Sequence, residues 1–403
     1  MSLNETAGGD RLHIGFFGMR NAGKSSVVNA VTGQELSVVS PVLGTTTDPV
    51  KKAMELLPLG PVMIIDTPGI DDEGSLGEMR VAKAKRVLAT CDVGILVVDA
   101  AKGLREWDKE LLEHMKKRDI PCITVYNKAD LLSEEPKEGA DFIYVSAQTG
   151  SGIDRLREKI GETSKKEESG RRIVGDLLSP GDRIVLVTPI DKAAPKGRLI
   201  LPQQQTIRDI LDSGCSATVC RDHELESTLR AFSEMPKMVI TDSQVFGKVS
   251  RLVPESVLLT SFSILFARYK GDLKNAVLGA AKLSKLRDGD RVLISEGCTH
   301  HRQCGDIGSV KLPAWIKEFT NASPMFEFTS GNTFPDDVSD FALVIHCGGC
   351  MLTEKEMRYR SRVCADSNVP ITNYGTAIAA MHGILNRSLS PFPSIQKMLT
   401  DNK

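Results

Sequence analysis

The chain has 403 residues, enough for about two to four domains that each bury a core. Lysine and arginine number 51 against 52 aspartates and glutamates, so no global charge draws the molecule to a polyanion, and no nucleic-acid partner is expected. The first residues, MSLNETAGGDRLHIGFFGM, hold no basic region ahead of an apolar core, and no apolar run approaches the ~18 residues of a membrane span. The expectation is a soluble, cytoplasmic protein with no membrane partner, whose nine cysteines are thiols or ligands rather than a disulfide framework.

In chain order, RLHIGFFGMRNAGKSSVVNAV reads as a short buried strand, a glycine-bounded loop and a helix start, with G-x-x-x-x-G-K-S from Gly18 to Ser25. In such a phosphate loop Gly18 and Gly23 let the backbone turn its N–H groups onto phosphate oxygens. Lys24 reaches the terminal phosphates, Ser25 can ligate magnesium, and the helix start favours negative charge. Asn21, Ala22 and Ser26 complete the expected nucleotide contacts of this loop. Further on, VMIIDTPGI places Asp66 at a strand end, where it can hold magnesium through water, and Gly69 where an N–H can sense the last phosphate. GILVVDA and PCITVYNKAD read as two more buried strands, the second delivering Asn127-Lys128-Ala129-Asp130. The Asp130 carboxylate can accept hydrogen bonds from N1–H and the 2-amino group of guanine, which adenine does not offer in the same places. FIYVSAQTGSGI ends a strand at Ser146-Ala147-Gln148, suited to backbone contacts with the base, ahead of a helix beginning near Ile153. Four signals in order, each at a strand end, point to GTP or GDP with Mg2+ on a doubly wound, mostly parallel sheet.

Residues 12 to about 165 resemble the Era and TrmE type of GTPase, whose pattern is matched by GMRNAGKS, GTTTD, DTPG and NKAD. The resemblance implies that Thr46 is the switch threonine, with Thr45 and Thr47 as neighbouring candidates, and that Thr46 joins Ser25 at the metal. It also implies that Asn21 supports a potassium ion supplying positive charge in the transition state; the plainer alternative is that Asn21 caps a turn. Ile70 follows Asp66-Thr67-Pro68-Gly69 where Ras-like enzymes carry the glutamine that orients water, so hydrolysis of GTP to GDP and phosphate is expected to be slow and potassium-stimulated. Its catalytic groups would be Lys24, Thr46 and Gly69.

The polar run ETSKKEESGRR, residues 162–172, reads as a linker. The boundaries expected from it are a GTPase domain at 1–165, a linker at 166–172, a small α/β domain at 173–265 and a last α/β domain at 266–403. The small domain shows strand-like GDRIVLVTPID, SATVCRD, KMVITDSQVF and SVLLTSFSILFARY alternating with helical patterns. Cys215 and Cys220 read there as buried small hydrophobes, and Lys192, Lys196 and Arg198 as a solvated turn. With no ligand cluster, this unit is expected to serve self-association, as a homodimer or higher oligomer.

In the last third, LRDGDRVLISEGCTHHRQCGDIG runs from an apolar strand into a loop carrying Cys298, His300, His301 and Cys304, and FALVIHCGGCM repeats that grammar. In a parallel sheet such loops meet, so Cys298 can join Cys347 and Cys350. Cys-Gly-Gly-Cys lets two thiolates share one centre, with glycine N–H groups free to bond sulfur. A redox dithiol is the competing reading, and residue chemistry alone fits either a Cys3His zinc site or an iron-sulfur cluster with three thiolates. His346 is a ligand candidate or a donor behind the ligands.

The whole chain resembles the HydF-type maturation GTPases of iron-only hydrogenases: Cys298-Thr299-His300, a long gap, then His346-Cys347-Gly348-Gly349-Cys350, after a GTPase and a dimerisation domain. The resemblance implies that Cys298, Cys347 and Cys350 hold a 4Fe-4S cluster, with His300 and His346 as the motif histidines. It implies a scaffold that receives a di-iron precursor made with radical S-adenosylmethionine maturases and delivers it to the apo-hydrogenase. The alternative is a GTPase of ribosome or tRNA maturation with a C-terminal zinc or iron-sulfur module, which predicts a basic, aromatic-bearing face; THHRQCGDIG carries one fixed positive charge.

Overall fold

The structure, a computed structural model, describes residues 11–401 apart from 35–48, 58, 70–83, 85, 89, 118–119, 134–138, 140, 166–170, 190–198, 298–306, 332 and 350–351. It divides into two compact units between Ser169 and Gly170.

The first unit is built on a six-stranded sheet of β1 (Leu12–Gly18), β2 (Val50–Leu56), β3 (Gly60–Asp66), β4 (Val93–Asp99), β5 (Cys122–Asn127) and β6 (Phe142–Tyr144), in the order β2-β3-β1-β4-β5-β6. All neighbours are parallel except the hairpin-like pair β2 and β3. The interior strands are apolar on both faces, as a sheet covered on both sides requires. Ile14 and Phe16 of β1 face Val27, Val28 and Val31 of the helix Lys24–Thr32 and Leu156 and Ile160 of the helix Ile153–Lys165. Phe17 and Met19 turn the other way, onto Leu111 and Met115 of the helix Glu106–Lys117. Each fully buried aromatic or aliphatic side chain of this kind stabilises by about 1.5–3 kcal/mol. β1 therefore lies between β3 and β4, and the loops leaving its carboxyl end meet those of both neighbours.

The second unit carries two four-stranded, all-parallel sheets. One is ordered β10-β9-β7-β8, from β7 (Arg183–Val187), β8 (Ser216–Cys220), β9 (Met238–Thr241) and β10 (Leu258–Ser261). The other is ordered β12-β11-β13-β14, from β11 (Arg291–Glu296), β12 (Met325–Ser330), β13 (Leu343–His346) and β14 (Ile371–Asn373). The run SVLLTSFSILFARY splits between two elements. Ser261 accepts from the Ile264 N–H and caps the helix Phe262–Lys270, so the second half of this apolar run is helical, and position 265 lies inside that helix. The two sheets share packing. Ala379, Leu385, Leu389, Phe392 and Leu399, late in the chain, belong to the core of the first sheet, where Cys215 and Cys220 are also buried. Asn373 Nδ2 donates to Ser263 O at 2.9 Å, and Thr372 Oγ1 to Ala276 O at 2.8 Å, which joins β14 to helices of the preceding segment. No helix among the described residues is long and apolar enough to cross a membrane.

Candidate functional site

The phosphate loop links β1 to the helix Lys24–Thr32, and its shape is set by left-handed backbone at Asn21 (φ 65°) and Gly23 (φ 82°). Gly23 is required twice over: its φ disfavours any side chain, and a Cβ there would sit 2.2 Å from Asn127 Nδ2. That amide belongs to the guanine tetrad, and it donates to Ala22 O at 3.1 Å while its Oδ1 accepts from Ala147 N–H at 3.0 Å. Asn127 thus ties phosphate loop, tetrad and the Ser146-Ala147 segment into one cradle. Ser146 is buried, and its Oγ accepts from Thr149 N–H at 3.2 Å, holding the turn after β6.

Lys128 also takes positive φ (66°) and reaches back across the loop: Nζ donates to Asn21 O at 2.8 Å and pairs with Asp99 at 2.7 Å. Asp99, at the end of β4, was not singled out from sequence. Burial alone would raise its pKa, but the Lys128 hydrogen bond and the Ala101 N–H outweigh that and hold the carboxyl below its ordinary value of 3.8. Asp130 is exposed, open to a ligand. On the other side of β1, Phe16 is in register with Asp66, and Thr67 Oγ1 donates to Phe16 O at 2.7 Å, which fixes the start of the Asp66–Gly69 segment. Asp66 and Lys24 form an ion pair, and Gly69 packs over the backbone of Arg20. Ser25 is half-buried and Ser26 exposed at the helix start. Gly18, Asn21, Ala22, Gly23, Lys24, Ser25, Ser26, Asp66, Gly69, Asn127, Lys128, Asp130, Ser146 and Ala147 therefore gather at the carboxyl ends of β1, β3, β5 and β6. Thr46 lies outside the described residues, as does Ile70.

In the second unit β11 and β13 are adjacent and parallel, with Ser295 opposite His346. Both strands end at the same edge, one leading to Gly297-Cys298 and the other to Cys347. Cys298, His300, His301, Cys304 and Cys350 lie outside the described residues, and among the described residues no three metal-binding side chains converge. Cys347 is described, and its environment suits a thiolate. Its Sγ accepts from Gly297 N–H at 2.9 Å and Gly349 N–H at 3.4 Å. Gly297 allows that approach: a Cβ there would meet Leu352 Cγ at 2.8 Å. Sulfur with converging backbone donors, at an edge where two cysteine segments begin, fits the thiolate side of an iron-sulfur or zinc centre.

His346 is placed differently from a solvent-facing ligand. It is 1% exposed, with Nδ1 2.7 Å from Cys347 O and Nε2 2.8 Å from Arg360 Nη1. Burial, and then the neighbouring Arg360 charge, push its pKa down to about 3. The partner Arg360 sits on the helix Glu354–Asp366, which starts at Thr353, whose Oγ1 accepts from Glu356 N–H, and carries Glu354 and Glu356 in its first turn, where acidic groups complement the helix dipole. Arg360 and Glu356, both buried, were not singled out from sequence.

Comparisons with known proteins divide along the same lines. A model described as 50S ribosome-binding GTPase matches residues 13–128, the hydrogen maturase F dimerization domain matches 173–271, and the hydrogen maturase F tetramerization domain matches 274–391. A tRNA modification GTPase MnmE of Thiobacillus denitrificans is 32% identical over 40% of this chain and 35% of its own length. A GTPase Der of Kosmotoga olearia is 33% identical over 45% of each. The chain thus spans less than half the length of these curated relatives. A solved structure of Era, crystallised with MgGDPNP and a segment of 16S ribosomal RNA, aligns at 21% identity and a TM-score of 0.34, over 52% of this chain and 91% of its own. The two hydrogen maturase F modules together cover more than half of the chain and follow a GTPase domain, and on that combination the chain belongs to the HydF-type family of hydrogenase maturation GTPases.

Proposed function

We propose that the chain is a GTP-hydrolysing scaffold and carrier in the maturation of iron-only (FeFe) hydrogenase. In this reading it holds a 4Fe-4S cluster through Cys298, Cys347 and Cys350, accepts a di-iron precursor as cargo from radical S-adenosylmethionine maturases, and passes it to the apo-hydrogenase. The observation that carries the reading is Cys347, its sulfur held by two backbone N–H groups at the shared edge of β11 and β13, in a chain that also carries a GTPase domain. The cluster, when bound, supplies an iron with a replaceable ligand, to which cargo attaches without breaking a protein thiolate bond.

The residues of the nucleotide cradle act in a definite order. Phosphate oxygens offer Lys24 a better partner than Asp66, and magnesium offers the same to the released carboxylate and to Ser25. Gly69, lying on Arg20, reads the last phosphate through its N–H, and with Thr46 transmits its loss on hydrolysis. Asn21 would hold a potassium ion, which would supply positive charge in the transition state, while Ile70 offers no side chain to orient the attacking water. Nucleotide state then biases partner binding or release, in a cytoplasmic homo-oligomer. The ribosome or tRNA alternative draws support from relatives whose matches lie in the GTPase part of the chain.

The test is transfer. Protein isolated anaerobically from cells that also produce the radical S-adenosylmethionine maturases is mixed with apo-hydrogenase, and hydrogen evolution is followed with GTP in potassium or sodium buffer. The reading expects activation, faster GTP hydrolysis in potassium, and no activation by Cys347→Ser. Failure of the wild type to activate the hydrogenase sinks the carrier assignment.

A further inference from the structure

Behind Cys347 lies a buried charged group whose task the carrier reading leaves open. Arg360 is fully buried and Glu356 is 4% exposed. The guanidinium makes four hydrogen bonds from all three nitrogens: Nε donates to Glu356 Oε1 at 2.7 Å, Nη2 to Gly331 O at 2.6 Å, and Nη1 to Ser295 Oγ at 3.1 Å and His346 Nε2 at 2.8 Å. Phe334 lies under the cation at 5.1 Å. Ser295 and His346 are partners across β11 and β13, three residues before Cys298 and one before Cys347. An arginine is always a donor, so Nε2 of His346 must present its lone pair. The ring proton then resides on Nδ1 and is donated to Cys347 O at 2.7 Å. Both ring nitrogens are occupied, and neither is left to bind iron.

We propose that Arg360 is a positioning residue which holds His346 Nε2 as a hydrogen-bond acceptor and braces the ends of β11 and β13, leaving iron ligation to the thiolates. The inference rests on the cluster reading of this edge, and it assigns the motif histidine to the frame rather than to the metal. Lysine would not replace Arg360, because one ammonium cannot serve the histidine, the serine, the glutamate and the Gly331 carbonyl in one plane.

The test uses the full-length chain, with 15N-labelled histidine, as wild type, Arg360→Met and Arg360→Lys. Nitrogen NMR of the cluster-free protein at one neutral pH should find His346 as the Nδ1–H tautomer in the wild type, and as the other tautomer or a mixture in Arg360→Met. Hydrogen exchange at Gly297 and Gly349 should quicken roughly 10-fold in Arg360→Met as their bonds to Cys347 loosen. After anaerobic reconstitution, iron affinity should fall about 10- to 100-fold in Arg360→Met, with Arg360→Lys giving only partial rescue, and the wild-type reduced cluster should show no strong coupling to histidine nitrogen. An Nε2–H tautomer in the wild type, or strong nitrogen coupling that His346→Gln removes, overturns the proposal even where Arg360→Met does not fold. Wild-type protein with the expected tautomer that takes up no iron overturns the cluster reading instead, and leaves the brace standing.

Discussion

At the carboxyl ends of β1, β3 and β5 the groups placed to meet a nucleotide are main-chain N–H groups, the buried Lys24, the half-buried Asp66 and the exposed Asp130, shaped by left-handed backbone at Asn21, Gly23 and Lys128. At the carboxyl ends of β11 and β13 the candidate ligand among the described residues is the Cys347 thiol, and near it sits a fully buried arginine paired with a buried glutamate. The difference follows from what each ligand needs. A nucleotide brings its own charge and magnesium, so the protein would contribute mainly shape, with the buried Lys24 and Asp99 each held by a charged partner, Asp66 and Lys128. A thiolate centre needs its sulfurs held at fixed separation before metal arrives, and rigid placement of two strand ends requires interior polar bonds that close on one another. The nucleotide edge is therefore expected to fail in ligand affinity and rate, while the cysteine edge fails in folding stability as well.

Substitutions at the two edges should separate these behaviours. The largest effect is expected at Asp130. A site that recognises two base N–H groups discriminates by about 10^4, so preference for GTP over ATP should collapse in Asp130→Asn without change in the melting temperature, as measured by competitive nucleotide binding. Lys24→Ala should slow phosphate release by roughly 10^2- to 10^3-fold, again with an unaltered fold, because it removes a cation aimed at developing charge.

At the cysteine edge, Arg360→Met should cost about 3–5 kcal/mol in unfolding free energy, since it strands Glu356 in the interior; pairing it with Glu356→Met should recover part of that loss. Equal losses in the single and double variants, read from chemical denaturation of the second-unit transition, would show that the ion pair is not the source. Smallest is Asp99→Asn, which removes the anchor of Lys128 and should weaken nucleotide binding by about 10-fold. The pH dependence has a fixed sign. A carboxyl whose folded pKa is depressed contributes stability that is complete above its unfolded value of 3.8 and is lost as pH falls through the lower folded value. The Asp99 contribution should thus be constant from neutrality down to about pH 5, and Asp99→Asn should make acid unfolding of the GTPase unit shallower only below that.

The two edges also differ in how far they can be read from the chain. β1, β3, β5 and β6 are runs rich in apolar residues that lead into phosphate, metal or base motifs, and each motif draws on residues within a few positions of one another, while β4 is an apolar run with no such motif. β2 escapes such reading because VKKAMEL is an edge strand, largely exposed and polar. β14 is three residues long, and β12 is an edge strand whose apolar residues are half-exposed. The adjacency of β11 and β13 follows from parallel-sheet logic, but the support behind Cys347 does not. In EKEMRYRSR, Glu356 and Arg360 stand four apart in a charged helix, the usual pattern of a solvated ion pair, and only the packing of that helix against Ser295, Gly331 and His346 buries them. For the same reason His346 reads from sequence as a candidate ligand, since nothing near it in the chain reveals the arginine fourteen residues on. Asp99 has the same character: its partner Lys128 lies 29 residues on, past a helix and the next strand.

The most direct test of the account is anaerobic reconstitution with iron and sulfide, followed by the visible spectrum and the electron paramagnetic resonance of the reduced protein, for wild type and Cys347→Ser. The account predicts a broad absorbance near ~400 nm and a reduced-cluster signal in the wild type, both lost in Cys347→Ser. A colourless wild-type protein holding one tightly bound zinc would contradict it.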